Sequence, residues 1–263
     1  MVAKMKLSLV IPAYNEEHRI GKTIVYYHDY LSKHFPEFEL IFVVEGTDDT
    51  VNIVNACAEK DSRIKCIYSE KRLGKGGAII RGFGEATGDL IGFVDADCST
   101  KPEAFGDLIR TLANRNNECD SVIASRKIKG TRVLKKEPFL QRFGSRGFNI
   151  LVRSLFLLPF KDTQCGAKIF TKDAVSAVLP ELGITEFAFD IDLLFRLHAK
   201  GFRIKEVPTV WEYKTGAQFN FNKWFVKLIP EMFLSLMRLR LIYSPFRRIV
   251  NVYDRVFGRK HNL

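Results

Sequence analysis

Paired cysteines, a membrane-spanning run and a nucleotide phosphate loop are all missing from this 263-residue chain. Its five cysteines, Cys57, Cys66, Cys98, Cys119 and Cys165, are odd in number, scattered and never in a CxxC pair. That excludes a disulfide framework or zinc finger and predicts a reducing compartment. The longest apolar stretches are broken by charge: Arg153 interrupts 147–160, and Lys223, Lys227, Glu231, Arg238 and Arg240 interrupt 219–243. Neither reaches the roughly 18 uncharged residues of a spanning helix. Met1–Lys6 leads straight into a strand-like segment without a signal-peptide pattern. GxxxxGK[ST], the spacing of a dinucleotide fingerprint, and zinc-finger or RNP sequences are absent, so nucleic acid is not an expected partner.

Charge is plentiful but uneven within a total of +11. Residues 126–153 hold nine Lys or Arg against Glu137, and 214–263 hold ten against Glu231 and Asp254, a net of +8 in each. The rest of the chain is therefore net −5. Both basic stretches are rich in large apolar residues, including Phe139, Leu140, Phe143, Phe148, Ile150 and Leu151 in the first. Such interleaving suits an anionic bilayer surface, where each cation contributes roughly 1 kcal/mol. Peripheral membrane association is the expectation, with a solvated basic face as the plainer alternative.

Short runs rich in Val, Ile and Phe at 7–11, 40–44, 64–68, 90–94 and 121–124 read as strands covered on both faces. Helical patterns lie between them at 16–33, 48–60, 77–86 and 102–115, with Asp48 or Asp49 and Thr100 as N-caps and Pro102 at a first helical position. Further on, 167–170 and 203–210 read as strands, and 187–199 as a helix closed by Gly201. Phe221, Trp224, Phe225, Leu228, Met232 and Leu236 recur at helical spacing, so 221–238 reads as an amphipathic helix. The fold expected is α/β, a mostly parallel, doubly wound sheet flanked by helices. Ligands of such sheets bind beyond the carboxyl ends of the strands.

One strand, Gly92–Phe93–Val94, ends in Asp95–Ala96–Asp97. Two carboxylates so close repel unless a cation lies between them. Mg2+ or Mn2+, completed by water and phosphate oxygens, is the simplest solution, with helix capping as the rival use. The turn Leu73–Gly74–Lys75–Gly76–Gly77 adds backbone amides and a lysine suited to an anion.

Taken in order, VIPAYNEE (10–17), GKGGA (74–78), FVDADCST (93–100), DTQCGAKIF (162–170), FAFDIDLLFR (187–196) and EVPTVW (206–211) resemble family 2 glycosyltransferases of the GT-A fold. Within that family the resemblance, over about 6–215, is to polyprenyl-phosphate sugar synthases, and DTQCG favours the dolichyl-phosphate glucosyltransferase branch over the mannosyl one.

This resemblance implies a metal-dependent, inverting transfer of a hexose from a UDP- or GDP-sugar to a polyprenyl or dolichyl phosphate. It implies that Pro12, Ala13, Tyr14 and Glu16 border base and ribose, with Glu45 where the family usually has Asp in a loop about two residues longer. Asp95 and Asp97 would hold metal and diphosphate beside Ala96 and Lys75, and Arg126 would hold phosphate. Asp162, Gln164, Asp190 and Asp192 would line the sugar and acceptor end, and Lys214 would close over the diphosphate. Arg132, Arg142 and Arg146 are the candidates to grip a lipid phosphate. The expected organisation is a GT-A catalytic domain at 1–215, including a membrane-facing segment at 126–160. A basic amphipathic helical region at 216–263 follows, on the cytoplasmic face of a membrane. The alternatives are a GDP-mannose-dependent synthase of the same family and a non-catalytic nucleotide-sugar or membrane-surface binding protein.

Overall fold

A computed structural model describes residues 5–244, apart from 115, 117, 136–137, 184–187 and 215–228. The expected helical residues 221–228, and everything after 244, therefore lie outside the described residues. The first half alternates strictly: β1 (Leu7–Tyr14), α1 (Ile20–His34), β2 (Phe38–Glu45), α2 (Thr50–Ala58), β3 (Ile64–Ser69), α3 (Gly74–Glu85), β4 (Leu90–Val94), α4 (Pro102–Ala113) and β5 (Ser121–Ser125). There follow β6 (Arg132–Lys135), α5 (Phe139–Phe156), β7 (Ala167–Thr171), α6 (Lys172–Val178), α7 (Phe189–Ala199), β8 (Ile204–Pro208), β9 (Val210–Glu212) and α8 (Ile229–Ile242).

Seven strands form one sheet in the order β3-β2-β1-β4-β7-β5-β8, and β6 pairs with β9 in a small parallel ribbon. The alternation of side chains along a strand puts Leu7, Leu9 and Ile11 of β1 on one face and Val10 on the other. On the first face they meet Ile24, Tyr27 and Leu31 of α1 and Phe105 and Leu108 of α4. The second face is covered by Ile79 and Phe83 of α3, Val175 of α6 and Leu193 of α7. All eight residues of β2 are buried, the sandwiching its apolar run predicts. Each Leu, Ile or Phe fully buried in this way contributes roughly 1.5–3 kcal/mol.

Strand β1 lies between β2 and β4, so the winding reverses between β1 and β4 and leaves a crevice at their carboxyl ends. Strand β7 is antiparallel to both neighbours. An antiparallel strand begins where its parallel neighbours finish, so the segment before it, 162–166, sits at the same edge as the end of β4.

Several boundaries differ from the sequence expectation. Thr100 does not cap α4: Lys101 holds that position, Thr100 is buried, and its carbonyl accepts from the Tyr27 hydroxyl at 2.9 Å. Asp49 precedes α2 without a side-chain bond to the helix backbone, its carboxylate accepting instead from the Asn52 side chain, while the Asp48 carboxylate accepts from the Thr50 amide and hydroxyl. Helix α3 starts at Gly74 rather than near 77, because the Glu45 carboxylate accepts from the amides of Leu73 (2.7 Å) and Gly74 (3.2 Å). The stretch 203–210 divides at Thr209, with β8 in the main sheet and β9 crossing to β6.

A third apolar cluster joins Val152 and Phe156 of α5, Ile191 and Leu194 of α7, and Leu236 and Leu239 of α8. Among the described residues no helix is long and apolar enough to cross a membrane.

Candidate functional site

The crevice at the β1–β4 reversal is a cavity of about 260 Å3. Pro12, Ala13, Tyr14, Glu16, Glu45, Lys75, Asp95, Ala96 and Asp97 all line it, together with Arg19 and Arg72. Local bonding explains how the chain shapes this edge. Asn15 (φ 52°) and Gly46 (φ 109°) turn sharply at the ends of β1 and β2, and a Cβ on Gly46 would overlap the Asn15 side chain. The Asn15 carboxamide accepts from the Thr47 amide, and Thr50 Oγ1 and Asp48 Oδ2 accept from the amides of Glu16 and Glu17. These bonds knit the short loop after Glu45 to the end of β1.

Tyr14 is 47% exposed, and the Arg72 guanidinium lies 3.2 Å from its ring centroid. It is thus a shelf at the cavity rim and not a core aromatic. Glu16 takes a two-pronged bond from Arg19, at 2.6 and 2.8 Å. Burial raises the Glu16 carboxyl, Arg19 opposes that rise, and Asp97 adds to it.

Helix α1 braces the Asp-Ala-Asp turn from below, with Thr23 Oγ1 donating to the Ala96 carbonyl at 2.6 Å. Asp97 accepts from the Ser99 amide at 2.8 Å, and Cys98 takes a left-handed φ of 54°. Asp95 pairs with Lys75 at 2.7 Å, and Asp190 stands 4.0 Å from the same ammonium. Burial lowers the Lys75 ammonium, but Asp95 and Asp190 outweigh it and hold it above the ordinary lysine range. The Asp95 amide donates to the Gly166 carbonyl at 3.1 Å, and a Cβ on Gly166 would overlap the Asp95 carboxylate.

A resident metal cage is not built here: among the described residues no three His, Cys, Asp or Glu side chains come together to hold an ion. Asp97 nevertheless offers a hard carboxylate at the cavity wall, with Asp95 beside it. That donor set fits Mg2+ or Mn2+ arriving with a diphosphate that completes the shell.

A second, more basic cavity of about 160 Å3 is lined by Arg126, Lys127, Val133, Arg142, Ser145, Arg146 and Trp211. Arg142 and Arg146 lie one turn apart on α5, which puts them on one face. Arg126 meets the buried Asp162 carboxylate at 2.7 and 2.9 Å and donates its backbone amide as well. Burial raises Asp162, but Arg126 outweighs it and holds the carboxyl below the usual range.

Not every expected residue converges on these cavities. Asp192 points away: it is buried with Arg196 (2.9 Å) and the Tyr243 hydroxyl, fastening α8 to α7. Burial raises its carboxyl despite both partners. Arg132 is exposed on β6, outside the basic cavity. Lys214 pairs with Glu212 at 2.8 Å, which also holds Lys101 at 3.3 Å. Gln164 Nε2 is buried with no hydrogen-bond partner among the described residues. Burial pushes the Cys165 thiol up to about 12, so this residue packs and does not act as a nucleophile.

Arg19, Arg72 and Gly166 were not among the expected site residues, although Gly166 closes the DTQCG stretch. Arg19 had one sequence signal, its place three residues after Glu16; Arg72 stood just before the glycine-rich turn.

An open α/β sheet with paired carboxylates, a lysine and an aromatic shelf at its winding reversal defines a GT-A type glycosyltransferase domain. Residues 8–179 match the family profile described as glycosyl transferase family 2, and the chain belongs to that family. It is 34% identical over 215 residues to the glycosyltransferase AglD of Haloferax volcanii, covering 81% of this chain and 34% of that protein. A dolichyl-phosphate beta-glucosyltransferase of Trichomonas vaginalis is 34% identical over 78% of this chain and 63% of its own. This chain therefore spans less than two thirds of both. The human dolichyl-phosphate beta-glucosyltransferase is 32% identical over 90% of this chain and 76% of that protein. Among solved structures, a glucosyl-3-phosphoglycerate synthase of Mycobacterium tuberculosis, crystallised with Mn2+, UDP and phosphoglyceric acid, has a TM-score of 0.65 at 18% identity. It covers 89% of this chain and 78% of its own.

Proposed function

We propose that this protein transfers glucose from UDP-glucose to a polyprenyl or dolichyl phosphate, inverting the anomeric carbon. One observation carries the reading: the segment 162–166 links the two cavities. At one end Asp162 grips Arg126 of the basic cavity; at the other Gly166 lies against Asp95 of the acidic one. An anionic acceptor and a diphosphate donor would so be held by two ends of one short loop. The relatives known as dolichyl-phosphate beta-glucosyltransferases support both glucose and this acceptor class.

In this reading Tyr14 and Arg72 receive the base, and Lys75 neutralises diphosphate charge. Asp97, with Asp95 beside it, would hold Mg2+ or Mn2+, which when bound supplies positive charge for the departing diphosphate. Arg126, Arg142 and Arg146 orient the acceptor phosphate. An oxygen of that phosphate attacks the glucose anomeric carbon, the bond to the UDP oxygen breaks, and UDP leaves with the electron pair. The nucleophile is already an anion, so no general base is required. Among the described residues, none of the histidines, His18, His28, His34 and His198, lines the cavity.

The catalytic domain is assigned to 1–215, and 126–160 with 216–263 to the cytoplasmic face of a membrane. Exposed Ile150 and Leu157 beside Arg153 on and after α5 support membrane contact by the 126–160 segment. Charge reversal of Arg142 and Arg146 together is expected to weaken flotation with anionic liposomes; unchanged flotation contradicts the membrane assignment.

The test of the donor is product analysis after incubation with polyprenyl phosphate, Mg2+ and UDP-glucose, UDP-GlcNAc or GDP-mannose. Glucosyl phospholipid is expected. Mannosyl phospholipid would transfer the reading to the mannosyl branch, and no product with any donor would favour a binding protein.

A further inference from the structure

Strand β7 carries a single charge, Lys168, which is 0% exposed in the middle of the sheet between Phe93 of β4 and Ile123 of β5. Ordering and burying a lysine is costly, and such a charge persists only where it is paired and bonded. Its ammonium donates to the Cys165 carbonyl at 2.6 Å and to the Asp190 carboxylate at 2.5 Å. Asp190 is itself buried and stands 4.0 Å from Lys75, which in turn pairs with Asp95 at 2.7 Å. Charges therefore alternate along one line, Asp95, Lys75, Asp190, Lys168, and both ammonium groups lie over the Phe93 ring, at 5.7 and 5.2 Å.

We propose that Lys168 is a positioning residue of the donor site, which neutralises Asp190 so that Lys75 stays with Asp95 and which ties down the 162–166 loop through the Cys165 carbonyl. The proposal rests on the donor-site reading above. Lys75 has two carboxylates within reach, and the one it favours depends on how much charge Asp190 presents. With Lys168 in place Asp190 is already paired. Without it Asp190 becomes a buried, uncompensated carboxylate and draws Lys75 inward, away from Asp95 and from an incoming diphosphate. Lys168 never touches that ligand; it acts through Asp190 and through the loop whose Gly166 packs on Asp95.

This mechanism separates from a plain structural role by a reversal. Lys168→Gln keeps a donor for the Cys165 carbonyl but removes the charge. Lys168→Gln/Asp190→Asn removes both charges, and neutral replacement of a buried pair is often tolerated. Each protein, checked for folding by circular dichroism, is titrated calorimetrically with UDP in Mg2+ buffer. The single variant is expected to bind UDP roughly tenfold more weakly than wild type, and the double variant to recover most of that loss. A single variant that binds as wild type does, or a folded double variant still roughly tenfold weaker than wild type, overturns the proposal whatever else is seen. Wild-type protein that does not bind UDP overturns the donor-site reading itself, and that failure shows before any variant is made.

Discussion

The Arg72 guanidinium lies 3.2 Å from the centroid of the Tyr14 ring, filling the shelf on which a nucleobase would rest. A base cannot slide between groups already in contact, so the proposed donor site requires Arg72 to swing outward as the donor enters. Its other neighbour, the Glu45 carboxylate, is 3.8 Å away and holds the start of α3. Tyr14→Ala is expected to raise the KM for the nucleotide sugar by roughly ten- to hundredfold, the range for losing a base–aromatic stack of about 1–3 kcal/mol. Steady-state kinetics with varied donor check this; a KM unchanged within error would remove Tyr14 from the site.

Gly166→Ala is the most economical disruption of the carboxylate pair. The added Cβ overlaps the Asp95 carboxylate, and the backbone there is fixed by the bond from the Asp95 amide. A fall in kcat/KM of at least about a hundredfold, roughly 2.7 kcal/mol, is expected with circular dichroism unchanged. Near-normal activity would mean that Asp95 has room to move and is not held for its role.

Asp192 and Tyr243 fasten α8 to α7. Tyr243→Phe deletes the hydroxyl that bonds Asp192 and leaves the Arg196 bond in place. A charge-assisted bond contributes about 1.5–3 kcal/mol. The melting temperature should fall by several degrees while kcat/KM stays within about twofold of wild type. Loss of activity at full stability would restore Asp192 to the site.

Acid stability depends on Glu39, buried at the opposite edge of the sheet. Burial acts to raise its carboxyl, but Lys65, Ser8 and Thr87 outweigh that and lower it from 4.5 to about 2. A depressed carboxyl stabilises the fold above its unfolded value and loses that contribution as pH falls from 4.5 toward about 2. The upper bound is about 3 kcal/mol. Glu39→Gln should be less stable at pH 7 and should show a flatter decline between pH 5 and 2 in urea unfolding. Parallel pH curves for the two proteins would contradict this assignment.

How much of this was legible in sequence follows from what is local. Strand β4 and the Asp95–Asp97 turn were readable because an apolar run ending in two carboxylates needs no distant partner to be recognised. The α/β class followed from alternating patterns. The direction of β7 was not readable, since strand pattern carries no sense of direction, and that direction brings Asp162 and Gly166 to the site. The start of α3 depends on Glu45, twenty-eight residues from Leu73. Asp190 and Asp192 were both expected at the sugar and acceptor end, and only the packing of α7 against α8 sets them apart. The strand at 167–170 was readable, but the burial of Lys168 and its pairing with Asp190 were not, because both depend on strands and a helix distant in sequence.

The most direct measurement is transfer of radiolabelled glucose from UDP-glucose to polyprenyl phosphate by wild-type and Asp97→Asn proteins, with and without EDTA. The expected result is a β-linked glucosyl phospholipid from wild type in Mg2+ or Mn2+, abolished by EDTA, restored by adding metal, and lowered at least about a hundredfold by Asp97→Asn. Equal product from Asp97→Asn, or from wild type stripped of metal, would contradict the role given to the carboxylate pair at the end of β4.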